Sequence, residues 1–370
     1  MKKIPKFISV VVVMAICVAG GLAIGGCGNK TDEKVSIYCF GDYIDPILIR
    51  DFEKETGIKV VYSTFDTNEE LYPVIKNNGA DYDVICASDY MIEKLREEGH
   101  LDKLDKSEIP NLKNVLPEFM KKVEVFDPEQ EYAVPHTWGT MGIMYNKKTL
   151  GKDVKIDSWS DLWQKKYKGR IVMPDSMRDT IGIGLKKNGY SLNTVDVHQL
   201  LAAQYDLIQQ KPLVYKYVND SARDLIIGGS ADLAVVWNGE FLYSKAENKN
   251  VDFVVPKEGS EEFIDAWAVT AKGKNKKNAN AWINFMLSKK AAIANFNYLT
   301  YTIPNKYVYD NMDQLVAELD EQAYNGKGVI KNNDVVFPSN EVLERCEILR
   351  NLGSDGDDLY TDIWKKFKAD

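Results

Sequence analysis

The sequence is poor in the residues from which metal centres are usually built. It contains three histidines and five cysteines in 370 residues. The histidines are scattered along the chain, and the cysteines have none of the spacings typical of metal sites. We therefore predict neither a bound metal nor a cofactor. The residues concerned are His100, His136, His198, Cys17, Cys27, Cys39, Cys86 and Cys346.

Catalytic motifs are missing as well. The chain has no Gly-x-Ser-x-Gly, no phosphate-binding loop and no His-Glu-x-x-His. Two enzymatic alternatives stay open on residue types alone. Asp83 or Glu240 with Asp265 would be an acid/base pair for glycoside cleavage, and a cysteine with His136 would be a nucleophile with its base. Because nothing in the sequence brings either set together, we predict no catalytic residues and no enzymatic activity.

Positive charge is scarce. The chain has 47 Lys and Arg against 55 Asp and Glu, a formal net charge of −8. Removal of residues 1–26 would take away three lysines and leave a formal charge of about −11. Nucleic acids are bound through clustered Lys and Arg, so we predict no nucleic-acid partner. An acidic surface favours the approach of a small cation instead.

A long hydrophobic run stands at the N-terminus. Residues 7–24 are almost wholly apolar or small and follow Lys2, Lys3 and Lys6. This pattern is typical of a signal peptide, although its length is close to the roughly 20 residues of an uncleaved membrane anchor. The run ends in Ile-Gly-Gly before Cys27, which resembles a bacterial lipobox. The resemblance implies a signal peptide over 1–26, a lipid on Cys27 and a short tether over 27–33.

Three cysteines remain after the signal peptide and the lipid-bearing Cys27 are set aside. They are Cys39, Cys86 and Cys346, an odd number. The sequence leaves two alternatives open, a Cys39–Cys86 disulfide and buried free thiols, of which free thiols are the ordinary state of an unpaired cysteine in a core.

Short strand patterns alternate with amphipathic helix patterns along the mature chain. The order β-α-β-α-β at its start predicts a parallel sheet covered by helices, and so an α/β fold. Asp45, Pro46 and Gly57 mark the ends of the first helix. The predicted strands are 35–40, 58–63, 83–87, 169–174, 232–237 and 251–256. The predicted helices are 46–56, 68–78, 90–98, one from about 180, 279–287, 291–298 and a short one around 359–367.

The length of the chain predicts two lobes. About 340 mature residues exceed what one hydrophobic core usually supports, and no linker separates two halves. We therefore expect several crossovers between the lobes. In such α/β sheets the ligand binds beyond the carboxyl ends of the strands.

Aromatic and acidic residues recur at those strand ends. The methylenes of an alkyl ammonium pack against flat apolar faces, and its charge is attracted by the quadrupole of an aromatic ring. Each buried ammonium also needs a carboxylate or polar acceptor, because an unpaired buried charge is very costly. Taken singly, each position favours an ordinary core aromatic or a solvated loop acid over a site residue. Their joint placement at strand ends that should converge favours a binding site. The candidates are Phe40, Asp42, Tyr43, Ser88, Tyr90, Ser176, Asp179, Trp237, Glu240, Phe263, Asp265 and Tyr301.

Several longer motifs identify a family that the chain resembles. They include Phe52–Val60, Asn68–Tyr72, Ser158–Trp163, Trp237–Gly239, Val255–Gly259 and Tyr301–Asn305. In these motifs, and in collinear order over residues 34–350, the chain resembles the spermidine/putrescine-binding proteins of bacterial polyamine ABC importers. The resemblance implies a two-lobed periplasmic-binding-protein fold of type II topology with the ligand in the cleft. It implies one lobe from 34–140 with 263–307 and a second from 141–262 with 308–370.

The resemblance also implies roles for the candidate residues. Aromatic walls hold the methylene chain, carboxylates bind the ammonium groups, and Ser88 and Tyr90 supply neutral acceptors. The chain departs from the family pattern at Ser176, where spermidine-preferring members often carry an aspartate. Glu240 stands where putrescine-preferring members tend to have an acid and the others a serine. This exchange slightly favours putrescine. The implied walls are Phe40, Tyr43, Trp237, Phe263 and Tyr301, and the implied ammonium partners are Asp179, Glu240 and Asp265.

The resemblance implies a monomer that captures putrescine or spermidine outside the cell membrane and delivers it to a permease, without chemistry. The alternatives are a binding protein for another small solute and a lipoprotein hydrolase or transferase on the same fold. An iron ligand or a sugar would call for tyrosine clusters or more amide and arginine donors than the candidate set contains.

Overall fold

The secondary structure alternates as the sequence predicts. The computed structural model describes residues 33–369, apart from 78, 152–153, 220 and 332–334. The signal peptide and Cys27 therefore lie outside the described residues. The strands are β1 (Lys34–Phe40), β2 (Lys59–Phe65), β3 (Val84–Ser88), β4 (Leu101–Asp102), β5 (Ala133–Asn146), β6 (Ile171–Met173), β7 (Val214–Tyr217), β8 (Leu233–Trp237), β9 (Val251–Val254) and β10 (Glu262–Thr270).

Helices connect these strands and cover the sheet. They are α1 (Pro46–Thr56), α2 (Asn68–Lys76), α3 (Asp89–Glu97), α4 (Pro117–Val123), α5 (Lys147–Leu150), α6 (Met177–Lys187), α7 (Val197–Gln210), α8 (Ala222–Ile227), α9 (Gly239–Glu247), α10 (Lys276–Met286), α11 (Lys289–Leu299), α12 (Lys306–Tyr309), α13 (Met312–Tyr324), α14 (Asn340–Leu343) and α15 (Gly353–Ala369). Short 3₁₀ turns lie at Lys106–Glu108, Pro110–Asn114, Trp159–Trp163, Lys165–Tyr167 and Lys211–Leu213. Within the described ranges, no helix is both long and apolar enough to cross a membrane.

The ends of helix α1 confirm the sequence signals. The Asp45 carboxylate accepts a hydrogen bond from the amide of Ile47 at 2.9 Å, and Pro46 occupies the first helical position. Gly57 ends the helix with φ of 77°, a left-handed conformation that glycine adopts without strain. Leu48 and Phe52 form the buried face of this helix.

The strands follow the order β2-β1-β3-β10-β5-β8-β6-β7. In the first half of the sheet, β1 is parallel to β2 and β3, and β10 runs antiparallel between β3 and β5. Strand β5 belongs to both halves: residues 133–140 pair with β10, and residues 141–146 pair with β8 and β9. The parallel pairing expected for the first three strands is confirmed, and the antiparallel strands β5 and β10 make the sheet as a whole mixed.

The α/β fold with two lobes is confirmed. One hydrophobic cluster packs around β1, β3 and β10, and others pack around β6, β8 and their helices. The limits of the two lobes along the chain stay a prediction. Helix α15, predicted as a short helix near the C-terminus, spans 17 residues and packs on α6 and α7 through Tyr360, Ile363 and Phe367.

Three other expectations are settled by the structure. Phe263 and Asp265, placed in a loop by the sequence analysis, lie inside strand β10. The helix expected from about residue 180 begins at Met177, because Ser176 is the last residue with extended backbone. Cys39 and Cys86 are buried free thiols and Cys346 is a partly buried one, so no Cys39–Cys86 disulfide is present.

Candidate functional site

A cavity of about 290 Å³ lies where β1, β3 and β8 end. Residues of both halves of the sheet line it, as expected for a cleft between lobes. The structure brings all twelve candidate residues to this cavity, and their roles towards a ligand stay a prediction. They are Phe40, Asp42, Tyr43, Ser88, Tyr90, Ser176, Asp179, Trp237, Glu240, Phe263, Asp265 and Tyr301.

Four aromatic rings follow one another along the wall. The ring centroids of Phe40 and Tyr43 are 5.4 Å apart, those of Tyr43 and Tyr301 are 5.8 Å apart, and those of Tyr301 and Phe263 are 6.3 Å apart. Each pair meets edge to face, a favourable geometry for aromatic side chains. The rings present flat apolar surface suited to a methylene chain.

Tyr301 is accommodated by a glycine at the start of α9. A Cβ atom on Gly239 would come within 2.1 Å of the Tyr301 ring. A glycine is therefore required at this position, which gives a packing reason for the Trp-Asn-Gly motif at the end of β8.

Asp265 is the most deeply placed acid of the predicted set. Its side chain lies in β10, the residue is 5% exposed, and its Oδ2 accepts hydrogen bonds from the Tyr43 hydroxyl and, at 3.3 Å, from Thr137. Its Oδ1 receives no hydrogen bond from the described residues. Burial raises the pKa of the Asp265 carboxyl, and the hydrogen bond from Tyr43 acts in the opposite direction. A cation at Oδ1 would stabilise the ionised form.

Glu240 contacts Arg223 and Tyr301 among the described residues. Its Oε2 lies 3.0 Å from Nη1 of Arg223, and its Oε1 accepts a hydrogen bond from the Tyr301 hydroxyl at 3.1 Å. The Arg223 guanidinium also lies over the ring of Tyr243, 4.4 Å from its centroid. Arg223 therefore offsets part of the negative charge that the sequence analysis attributed to Glu240.

Asp179 and Glu261 form a second pair of acids that line the cavity. Asp179 stands in the first turn of α6, and Glu261 directly precedes β10. Glu261 is only 4% exposed, and its Oε2 receives no hydrogen bond from the described residues. Burial raises the pKa of Glu261 well above its usual value, and the negative charges of Asp179 and Asp89 raise it further.

Ser88 and Tyr90 are joined to neighbours on α2. The Ser88 hydroxyl accepts a hydrogen bond from the side-chain amide of Asn68 at 3.0 Å. The Tyr90 hydroxyl donates to Glu69 at 3.0 Å, and the Arg178 guanidinium lies 5.0 Å from the centroid of the Tyr90 ring. The polar groups of both predicted acceptors are thus fixed in orientation.

Several lining residues were missed by the sequence analysis. Asp66, Thr67 and Asn68 follow the carboxyl end of β2, so the rule applied to the other strands would have found them. Arg223 carries no such signal, because nothing in sequence pairs it with Glu240. Glu261 was missed because strand β10 was not predicted. The other additional lining residues are Gly41, Asn219, Tyr243, Tyr298, Leu299 and Leu349.

Among the described residues, no three His, Cys, Asp or Glu side chains are grouped so as to hold a metal ion.

Comparison with known families and proteins gives concordant results. Residues 48–321 match the family of bacterial extracellular solute-binding proteins. The chain is 32% identical over 355 residues to the spermidine/putrescine-binding periplasmic protein of Escherichia coli K12, covering 95% of this chain and 97% of the relative. It is 30% identical over 373 residues to a putrescine-binding periplasmic protein of the same organism, covering 95% and 96%.

Solved structures show the same likeness. A putative spermidine/putrescine ABC transporter from Listeria monocytogenes is 35% identical, with a TM-score of 0.82 over 91% of this chain and 99% of the other. The spermidine/putrescine ABC transporter substrate-binding protein of Streptococcus pneumoniae is 34% identical, with a TM-score of 0.72 and the same coverage.

Proposed function

Because this chain belongs to the family of bacterial extracellular solute-binding proteins, we propose that it captures a linear polyamine, putrescine or spermidine, outside the cytoplasm. It then delivers the ligand to the membrane permease of an ABC importer. The names of its relatives, which bind spermidine and putrescine, support this assignment.

The observation that carries the proposal is the Asp265 carboxylate beside the aromatic wall. Its Oδ1 is buried and receives no hydrogen bond from the described residues, while Tyr43 and Thr137 fix the other oxygen. A buried carboxylate is stabilised by a cation that donates hydrogen bonds. An alkyl ammonium supplies that charge, and its methylenes cover the rings of Tyr43 and Tyr301.

The second ammonium binds near Asp179, which also lines the cavity. The ion pair with Arg223 neutralises part of the charge of Glu240, so Glu240 is a weaker candidate for binding an ammonium group. The slight preference for putrescine that rested on Glu240 is weakened by the same contact. Both ligands therefore belong in the first binding assay.

The activity is binding and release without chemistry. Because the cavity is lined from both halves of the sheet, contacts available only in the closed state drive closure around the ligand. The lobes are 34–140 with 263–307 and 141–262 with 308–370. The protein is a monomer anchored by a lipid on Cys27 to the outer face of the cell membrane, following cleavage of the signal peptide over 1–26.

The test is isothermal titration calorimetry of the chain from residue 28 onward, stripped of ligand. The titrants are putrescine, cadaverine, spermidine and spermine. We expect one-to-one binding of putrescine or spermidine and no turnover of either. Absence of heat with all four polyamines on a folded sample would contradict the proposed ligand and direct the search to other solutes.

A further inference from the structure

Glu261 is a buried acid that lines the cavity. Neither the fold nor a sequence motif gives its side chain a structural role. Its Oε2 receives no hydrogen bond from the described residues, although the residue is 96% removed from solvent. An unpaired buried carboxylate is costly and is retained where it acquires a partner. The cavity is the side from which such a partner can come, since Glu261 lines it.

The position of Glu261 along β10 sets it apart from Asp265. Glu261, Phe263 and Asp265 all line the cavity, as residues on one face of an extended strand do. With a rise of about 3.3 Å per residue, the Cα atoms of Glu261 and Asp265 lie about 13 Å apart. Phe263, between them, presents its ring to the same space. One strand therefore offers an acid, an aromatic face and a second acid in a row.

The charges around Glu261 are almost all negative. Asp179 on α6 lies close enough to share a hydrogen bond with it, and Asp89 on α3 and Asp265 on β10 act on it through their charge. Asp89 accepts hydrogen bonds from the backbone amides of Tyr90 and Ile264, so its needs are met within the protein. Arg178, the nearest cation acting on Asp89, lies over the ring of Tyr90.

Arg223 is the single Lys or Arg among the described residues that line the cavity, and it is paired with Glu240. The Asp179–Glu261 pair thus has no cationic partner on the cavity wall. We infer that Glu261 and Asp179 form an ammonium subsite, in which the Glu261 carboxylate contacts a ligand ammonium and helps to determine which polyamine binds. This inference rests on the proposed function.

Proton release should accompany binding at this subsite. Burial and the neighbouring acids raise the pKa of Glu261 in the free protein, and a bound ammonium lowers it by favouring the carboxylate. Between the two pKa values the free carboxyl holds a proton that the complex does not. Affinity therefore falls as the pH is lowered through the raised pKa. The pKa of Asp265 is also raised by burial, so Asp265 makes its own contribution to the number of protons released on binding.

The experiment compares the wild type with E261Q, which keeps the shape of the side chain but not its charge. Calorimetry with putrescine and spermidine, in two buffers of different ionisation enthalpy, gives both the affinity and the number of protons released. We expect E261Q to bind about tenfold to a hundredfold more weakly, the effect of losing one charged hydrogen bond, and to release fewer protons. E344Q, the same change at an exposed residue directly after α14, should match the wild type.

Each outcome is decisive for the subsite. Unchanged affinity in E261Q would overturn the contact, and so would weaker binding with unchanged proton release, which would assign the effect to packing. A thermal melt of E261Q without ligand verifies its fold, and E261D, which retains the charge, should recover part of the affinity. Failure of the wild type to bind any polyamine would instead contradict the proposed function.

Discussion

At the residue scale, the burial of Asp265 makes its carboxylate a candidate binding group for a cation. Its Oδ2 is fixed by Tyr43 and Thr137, which orients the carboxylate and leaves Oδ1 at the cavity. The sequence predicted the residue but not its setting. Its strand was missed, and Thr137 comes from the neighbouring strand β5 rather than from a loop.

Removal of the Asp265 carboxylate should weaken polyamine binding sharply. In Asp265→Ala one ligand ammonium would be buried without its counter-ion, a loss of roughly 3–5 kcal/mol of binding free energy. Calorimetry of the variant, alongside circular dichroism to verify the fold, measures the loss. Unchanged affinity would show that the ammonium binds elsewhere in the cavity.

Individual residues also mark the limit of reasoning from sequence. All twelve candidates lie at one cavity. Each was chosen either because it stands beyond the end of a predicted strand or because it matches a family motif. The Arg223–Glu240 contact joins residues of two helices, α8 and α9, whose relative position is fixed by tertiary packing. No local pattern encodes such a contact.

At the scale of elements, strand β5 was not predicted, and its composition gives a physical reason. Strand β5 contains Pro135, Gly139 and Gly142, residues that normally argue against a strand interior. Pro135 lies where the register between β5 and β10 shifts, at a bulge that tolerates proline. A Cβ on Gly139 would approach Asn238 Oδ1 to 1.9 Å, and one on Gly142 would approach the Phe253 ring to 2.5 Å. Close packing therefore requires glycine at these two positions, and the glycines remove the sequence pattern by which the strand could have been predicted.

An ion pair ties helix α3 to the segment before α15. Glu93 on α3 is 4% exposed and lies 2.5 Å from Nη2 of Arg350, and it also accepts a hydrogen bond from the amide of Asn351. In Arg350→Ala the buried carboxylate keeps only backbone support. We expect the free energy of unfolding to fall by about 2–3 kcal/mol, measured by urea denaturation of the ligand-free chain.

The matched control is an exposed ion pair. The Lys274 and Asp81 side chains are 70% and 57% exposed, so Lys274→Ala should cost less than about 1 kcal/mol. The Arg350 side chain is 45% exposed, and only its partner Glu93 is buried. Equal losses in the two variants would contradict a structural role for the Glu93–Arg350 pair.

At the scale of the whole molecule, the α/β class, the two lobes and the place of the cleft followed from length and strand order. Those inferences depend on properties that average over many residues, such as the alternation of strands and helices. Two features could not be inferred: β5 belongs to both halves of the sheet, and β10 lies between β3 and β5. Pairing between distant segments produces no periodic pattern in the sequence of either strand.

The lipid anchor is tested on the whole chain. Cys27→Ala should remove the acylation site and release the protein from the membrane fraction of expressing cells, because a chain without lipid has no buried methylenes to hold it. Cys17→Ala, inside the predicted signal peptide, should leave the protein in the membrane fraction. Immunoblots of membrane and soluble fractions measure both. Retention of Cys27→Ala at the membrane would favour an uncleaved N-terminal anchor.

The place of β10 between β3 and β5 also governs when the chain can fold. The first 146 residues supply five of the ten strands, yet the gap between β3 and β5 is filled only by residues 262–270. Sheets closed by such distant segments form slowly, since a long loop must be closed before any contact compensates for its entropy. A chain emerging from the ribosome therefore lacks an inner strand of this half of the sheet until residues 262–270 have been made, so the sheet can be completed only late in synthesis.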